Sequence, residues 1–319
     1  MARVIPGIHH VTAIAGDPQQ NIDFYTGLLG LRLVKLTVNY DDPGTYHLYF
    51  GDKNGSPGTI LTFFPWPDAP RGQKGTGQAV TTSFSIPETS IEYWMERLKD
   101  NRVQFKGPEH RFDEKVLSFS DLDGLDLELV AAERVSSGNA WEKGPIPAEY
   151  AIRGFHHVTL SEQTGEKTVQ LLTGTMGFHQ SRKENNRTRF ETRDGGPGAI
   201  VDVLEQPDLP RGLISVGTVH HVAWRTPSDE EQKDWRSVLA AMGMNVTPII
   251  DRKYFHSIYF REPGGVLFEI ATEPPGFTVD QPLEELGTRL ILPPWLESDR
   301  REIEASLSPL NLPKPVSAQ

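Results

Sequence analysis

Three histidine doublets recur along this chain in the same local setting, and that recurrence restricts the fold more than any other feature. "GIHHVTAIAGD" at 7–17 returns as "GFHHVTLSEQT" at 154–164 and as "TVHHVAWRTPS" at 218–228. Each copy is apolar-flanked and rich in β-branched residues, the composition of a strand. Each precedes a segment of helical periodicity ending at a glycine, Gly30, Gly177 and Gly243 in turn, where a helix C-cap belongs. In the first such segment Ile22, Tyr25 and Leu29 fall on one face. A fourth copy, without histidines, lies between the first two. Its strand is "GQAVTTSFSIP" and its helix "SIEYWMERLKDNRV", with Ile91, Trp94, Met95 and Leu98 as one apolar stripe. Self-similarity at this scale marks a modular architecture.

Each copy ends in strand-like segments, a glycine turn and a last apolar strand: "GTILTFFP", "GLDLELVA", "GAIVDVLE" and "GVLFEIAT". The unit therefore reads β-α-β-β-β. At the equivalent position of that last strand stand Thr62, Glu128, Asp202 and Glu269, and strand alternation points all four the same way. One unit leaves an apolar sheet face open, so units must pair. The expected fold is α+β, with four βαβββ modules paired into cupped mixed sheets. By chain order, 1–135 is an N-terminal pair of modules and 153–273 a C-terminal pair. The proline-broken stretch 136–152 reads as a linker, and 274–319 as an extended arm with a short helix.

Composition narrows the function. The 319 residues are 37% hydrophobic and 24% charged, the balance of a globular protein. Cysteine is absent, which excludes disulfides, thiolate metal sites and cysteine nucleophiles. A net charge of −11 disfavours nucleic acid, whose phosphates need a basic face. The apolar runs are too short for a bilayer-spanning helix, and "MARVIPGIHH" carries no apolar core of signal-peptide length. A cytoplasmic location without a membrane partner is expected, and a homo-oligomer is compatible with the sequence.

Two imidazoles on first strands and one carboxylate on a last strand make a 2-His-1-carboxylate set. Such a set suits non-haem iron(II), filling one face of an octahedron and leaving positions for substrate and O₂. A single strand histidine is more often a hydrogen-bonded structural residue. Repetition of the doublet at one strand position weighs against that here, and so does Glu269, flanked by Phe268 and Ile270. A carboxylate there is costly to bury unless paired or metal-bound. Glu128 has no histidine in its own copy and reads as a salt-bridged or solvent-facing residue. Neighbours on a strand face opposite ways, so one histidine of each doublet enters the cup. The pattern alone does not say which.

Over residues 5–275 the four units resemble the vicinal oxygen chelate superfamily, which includes glyoxalases, bleomycin resistance proteins and extradiol dioxygenases. More narrowly, the chain is similar to ring-cleaving dioxygenases of the hydroquinone and chlorohydroquinone 1,2-dioxygenase group. The motifs carrying this are "HHVT" at 9–12, "YHLYFGD" at 46–52, "GTVHHVA" at 217–223, "DRKYFHSIYFREPGGVLFEIAT" at 251–272 and "LPPWLE" at 292–297. The resemblance implies Fe(2+) held by His10, His221 and Glu269. It further implies that His9, Thr12, His220, Arg252 and Tyr259 form the catalytic surroundings and substrate pocket, and that a small aromatic diol and O₂ are the substrates. Catechol-type extradiol enzymes pair their third and fourth units, and in that arrangement His157 would replace His10. The hydroquinone group pairs the first with the fourth.

Two rivals share the fold. A glyoxalase-type isomerase or thiol transferase usually takes a second carboxylate from the partner unit, where this chain has Thr62. A drug-sequestering binding protein lacks a complete triad.

Overall fold

All four repeats fold as β-α-β-β-β units in the computed structural model, which describes residues 3–133, 135 and 140–313. The first unit comprises β1 (Ile8–Ala15), α1 (Pro18–Ile22), β2 (Arg32–Asn39), β3 (Asp42–Gly51) and β4 (Ile60–Pro65). The second comprises β5 (Gln78–Pro87), α2 (Ile91–Asp100), β6 (Phe105–Arg111), β7 (Glu114–Ser120) and β8 (Asp126–Ala132). The third comprises β9 (Phe155–Glu162), α3 (Glu166–Gly174), β10 (Phe178–Glu184), β11 (Arg187–Thr192) and β12 (Ile200–Glu205). The fourth comprises β13 (Thr218–Thr226), α4 (Asp229–Ala241), β14 (Ile250–Asp251), β15 (His256–Arg261) and β16 (Leu267–Thr272).

Local chemistry explains the helix ends. The Asp17 carboxylate accepts from the Gln20 amide at 2.8 Å and caps α1, with Pro18 at its first turn. Ser228 caps α4, whose first turn carries Asp229, Glu230 and Glu231, favourable at the positive end of the helix dipole. The first helix is not regular to its expected end. After Ile22 it widens into a π-helical turn, Asp23–Leu28, and the Leu29 amide bonds the Phe24 carbonyl. The wider turn brings Phe24, Tyr25, Leu28 and Leu29 into the core together. Gly30 then turns left-handed at φ +71°, where a Cβ would lie 2.2 Å from Ile146.

The units close two curled, mixed, eight-stranded sheets, an α+β architecture. One runs β14-β15-β16-β13-β1-β4-β3-β2 and the other β10-β11-β12-β9-β5-β8-β7-β6. The first unit is therefore joined to the fourth and the second to the third, so the chain-order halves 1–135 and 153–273 are not the units that close the sheets. The reason lies at the inner strands. β1 pairs antiparallel with β13, and β5 with β9, which nests the middle two repeats inside the outer two. In the expected linker 136–152, residues 136–139 lie outside the described residues. Ala140, Ile146, Ala151 and Ile152 pack into the core.

The expected arm folds back on the first sheet, and its last six residues, 314–319, lie outside the described residues. Phe277 packs on Tyr49 and Tyr254, and buried Lys35 donates to Asp280 and Gln281. The helix α5 (Arg300–Ser306) sets Ile303 against Val38. Among the described residues no helix is long and apolar enough to cross a membrane.

Candidate metal centre

Strand register assembles the centre. Thr12 faces His221 and His10 faces Ala223 across the β1–β13 ladder. Ala223 in turn faces Glu269 on β16, and Glu269 faces Tyr259 on β15. His10, His221 and Glu269 are all buried. His10 Nε2 and His221 Nε2 lie 3.3 Å apart, and each approaches Glu269 Oε2, at 3.2 and 2.9 Å. Oε2 has no partner of hydrogen-bonding geometry, whereas Ser257 donates to Oε1 at 2.5 Å. Three potential ligand atoms thus converge, and Glu269 Oε2 among them is unpartnered, in a place where an unpaired carboxylate oxygen is costly. Two neutral imidazoles and one carboxylate suit a divalent cation. Burial raises the Glu269 pKa, but the adjacent His10 and His221 imidazoles outweigh it and hold the group well below the usual carboxylate range.

The doublets are not arranged as simple alternation implies. In β1, Ile8 faces Trp224 and His10 faces Ala223, so His9 is surplus in the ladder. In β13, Thr12 faces His221 and Ala13 faces Val219, so His220 is surplus. His156 is surplus in β9 by the same criterion. Each first histidine is thus a β-bulge, a device that re-aims side chains. As a result the two rings of each doublet meet through Nδ1, at 2.9 Å for His9–His10, 2.8 Å for His156–His157 and 2.7 Å for His220–His221. These contacts tie back one nitrogen and leave Nε2 of His10 and His221 for the centre.

His10 and His221 border a cavity of about 260 Å³, lined also by Thr12, His220, Arg252 and Tyr259. Ligand sites for drug-sized molecules run to ~300–1,000 Å³, so this one has room for a small molecule. The Arg252 Nε donates to the Tyr259 hydroxyl at 3.3 Å, and its Nη1 pairs with Asp41 at 3.0 Å. Burial and the Glu269 charge push the Tyr259 phenol above its ordinary pKa, against Arg252. Burial, then His221, pushes His220 down to about 3. His9 does not line the cavity; it packs behind His10 against Phe255. At the rim Tyr40 meets Trp295 of the arm, ring centroids 5.5 Å apart. His47, Tyr49 and Phe64 also line the wall. Sequence reading passed over them as site residues, although "YHLYFGD" contains two of the three.

His157 is not part of this centre. It lies in the second sheet, where register makes it the counterpart of His10, Glu128 that of Glu269 and Asp202 that of Thr62. Thr81, paired with Thr159, takes the place of His221. Arginines fill this second cup. Arg189 forks onto both oxygens of Asp202 at 2.8 and 3.1 Å and reaches Glu114 at 2.7 Å. Arg187 adds a bond to Asp202 at 3.0 Å and Arg111 one to Glu128 at 2.8 Å. Glu128 is thus salt-bridged, but it is buried and not solvent-facing.

The family model for the glyoxalase/bleomycin resistance protein/dioxygenase superfamily matches residues 7–129 and 154–270. The chain is 47% identical over 312 residues to MhqO of Bacillus subtilis strain 168, named as a ring-cleaving dioxygenase, covering 98% of this chain and 99% of that one. It is 34% identical over 307 residues to a chlorohydroquinone/hydroquinone 1,2-dioxygenase of Sphingobium indicum, covering 94% and 95%. A crystal structure described as a dioxygenase of Bacillus subtilis superposes with a TM-score of 0.94 at 46% identity, covering 98% of this chain and 100% of that one. Glyoxalase I of Zea mays shares the fold alone, with a TM-score of 0.61 at 15% identity over 84% of this chain and 92% of that one.

Proposed function

Because the chain belongs to the glyoxalase/bleomycin resistance protein/dioxygenase superfamily, we propose that it is an iron(II)-dependent ring-cleaving dioxygenase that opens hydroquinone-type aromatic diols with O₂. The observation that carries this reading is the unpartnered Glu269 Oε2 facing two Nε2 atoms whose rings are tied back at Nδ1. The names of the full-length relatives supply the reaction class. His10, His221 and Glu269 would hold the metal. Bound there, iron(II) supplies electron transfer between an aromatic oxyanion and O₂ and brings the two together.

The remaining chemistry belongs to the protein. A divalent ion beside one carboxylate keeps a net positive charge, which favours a deprotonated hydroxyl over a neutral one. Thr62 at the partner unit's equivalent position preserves that charge, whereas a second carboxylate, as a glyoxalase-type isomerase usually has, would cancel it. Arg252 and Tyr259 form a hydrogen-bonded pair on the cavity wall. They can orient the ring and stabilise negative charge on an oxygen the metal does not hold. The Tyr259 phenol stays protonated at neutral pH and is a donor there. Burial keeps His220 neutral, and with its Nδ1 taken up by His221 its Nε2–H is a hydrogen-bond donor.

O₂ consumption by protein loaded with iron(II) or with zinc, given hydroquinone, catechol or methylglyoxal–glutathione, tests the reading. Uptake with hydroquinone and iron(II) alone is expected. Isomerisation of the thiol adduct with zinc and no O₂ uptake would replace it with the isomerase reading.

A further inference from the structure

A line of hydrogen bonds runs behind the cavity wall on the flank of the sheet away from Tyr259. The Tyr49 hydroxyl meets His47 Nδ1 at 2.9 Å, and His47 Nε2 meets Thr62 Oγ1 at 2.9 Å. Thr62 Oγ1 then meets Thr12 Oγ1, again at 2.9 Å. Thr12, Thr62 and Tyr49 are buried, and Thr12, His47 and Tyr49 border the cavity. None of these contacts by itself has a direction, since imidazoles and hydroxyls both donate and accept.

Tyr49 supplies the direction. Its only hydrogen-bond partner among the described residues is His47, and a buried hydroxyl hydrogen without an acceptor costs about 1–3 kcal/mol. The phenol therefore donates to Nδ1. The neutral imidazole then carries its proton on Nε2 and donates to Thr62. Thr62 has one oxygen to accept with and one hydrogen to pass on, which goes to Thr12. Thr12 is left with its own hydrogen for the cavity. The opposite polarity leaves the Tyr49 hydrogen without an acceptor among the described residues.

We infer that Tyr49, His47 and Thr62 form a one-way donor chain that makes Thr12 a hydrogen-bond donor to a substrate oxygen, so that the pocket selects an aromatic oxyanion over a neutral hydroxyl or an ether. Tyr49, His47 and Thr62 are positioning residues, acting on the ligand through Thr12. Both ring nitrogens of His47 are engaged, so it presents its ring to the cavity, at 4.0 Å from the Tyr49 ring and 4.3 Å from Phe64. The inference rests on the aromatic-hydroxyl reading above and adds the protonation state the site prefers.

The test is the apparent pKa of 4-nitrophenol bound under argon to the iron(II)-loaded protein, read from its visible absorbance. Wild type should depress it. Tyr49→Phe frees the His47 tautomer and should raise the bound pKa by up to about one unit, a ~tenfold loss of preference for the anion. Thr62→Val should move it the same way and Thr62→Ser should keep the wild-type value, with iron content checked in each. An unchanged bound pKa in both Tyr49→Phe and Thr62→Val overturns the donor chain and leaves the dioxygenase reading standing. Failure of wild type to bind the phenol at all overturns both.

Discussion

His220 and His221 are neighbours in sequence, yet their Nδ1 atoms lie 2.7 Å apart because His220 is the surplus residue of a β-bulge. The contact fixes the His221 ring with Nε2 toward Glu269. Removing such an orienting partner typically costs 10–100-fold in metal affinity. His220→Leu should weaken iron(II) binding by roughly that factor, with an unchanged circular dichroism spectrum. Full affinity in competition with a calibrated chelator would show that the bulge does not orient the ligand.

Glu269→Gln should eliminate metal binding and O₂ uptake while the fold persists, since the amide preserves volume and removes the charge that holds the cation. Loading wild type with metal should in turn raise its stability. At a free metal concentration 100 times Kd the gain is about 2.7 kcal/mol, visible as a higher Tm that a chelator reverses. Wild-type turnover by Glu269→Gln would rule the centre out.

The second cup supports a different expectation. Arg189 is buried, with Asp202 and Glu114 as its partners. Arg189→Met leaves two carboxylates short of a cation, and breaking one side of a buried pair costs ~3–5 kcal/mol. Urea unfolding should register that loss, and the metal content of the folded fraction should stay at the wild-type level. A drop in metal content without a drop in stability would mean that this cup, too, takes part in metal binding.

The histidine repeats made the four units legible, and the glycine turns placed Glu269 on a last strand. The pairing of the first unit with the fourth came only through the family resemblance, because it depends on β1 meeting β13, a long-range contact that no local pattern encodes. The bulges escaped because strict alternation assigns adjacent histidines to opposite faces, and only the register shift at His9, His156 and His220 brings their rings together. His47 was hidden for a related reason. Its partners Thr62 and Thr12 are ordinary strand residues until the β3–β4 and β1–β4 ladders align them.

Tyr259→Phe and Arg252→Met remove groups that can hold what the metal does not. A catechol reaches the metal through two adjacent oxygens, whereas a hydroquinone offers one and relies on side chains for its orientation. Hydroquinone turnover should fall at least about tenfold in each variant, equivalent to ~1.4 kcal/mol in the barrier. Matched steady-state rates with hydroquinone and catechol check this. A catechol preference in wild type, or no loss in Tyr259→Phe, would defeat the hydroquinone assignment and leave ring cleavage standing.

The central claim is that the cup joining the first and fourth units holds the metal and the arginine-filled cup does not. Metal analysis of His10→Ala and His157→Ala after identical anaerobic loading with iron(II) addresses it directly. His157→Ala should retain the stoichiometry of wild type, and His10→Ala should retain essentially no iron. Iron lost from His157→Ala and kept by His10→Ala would contradict the assignment.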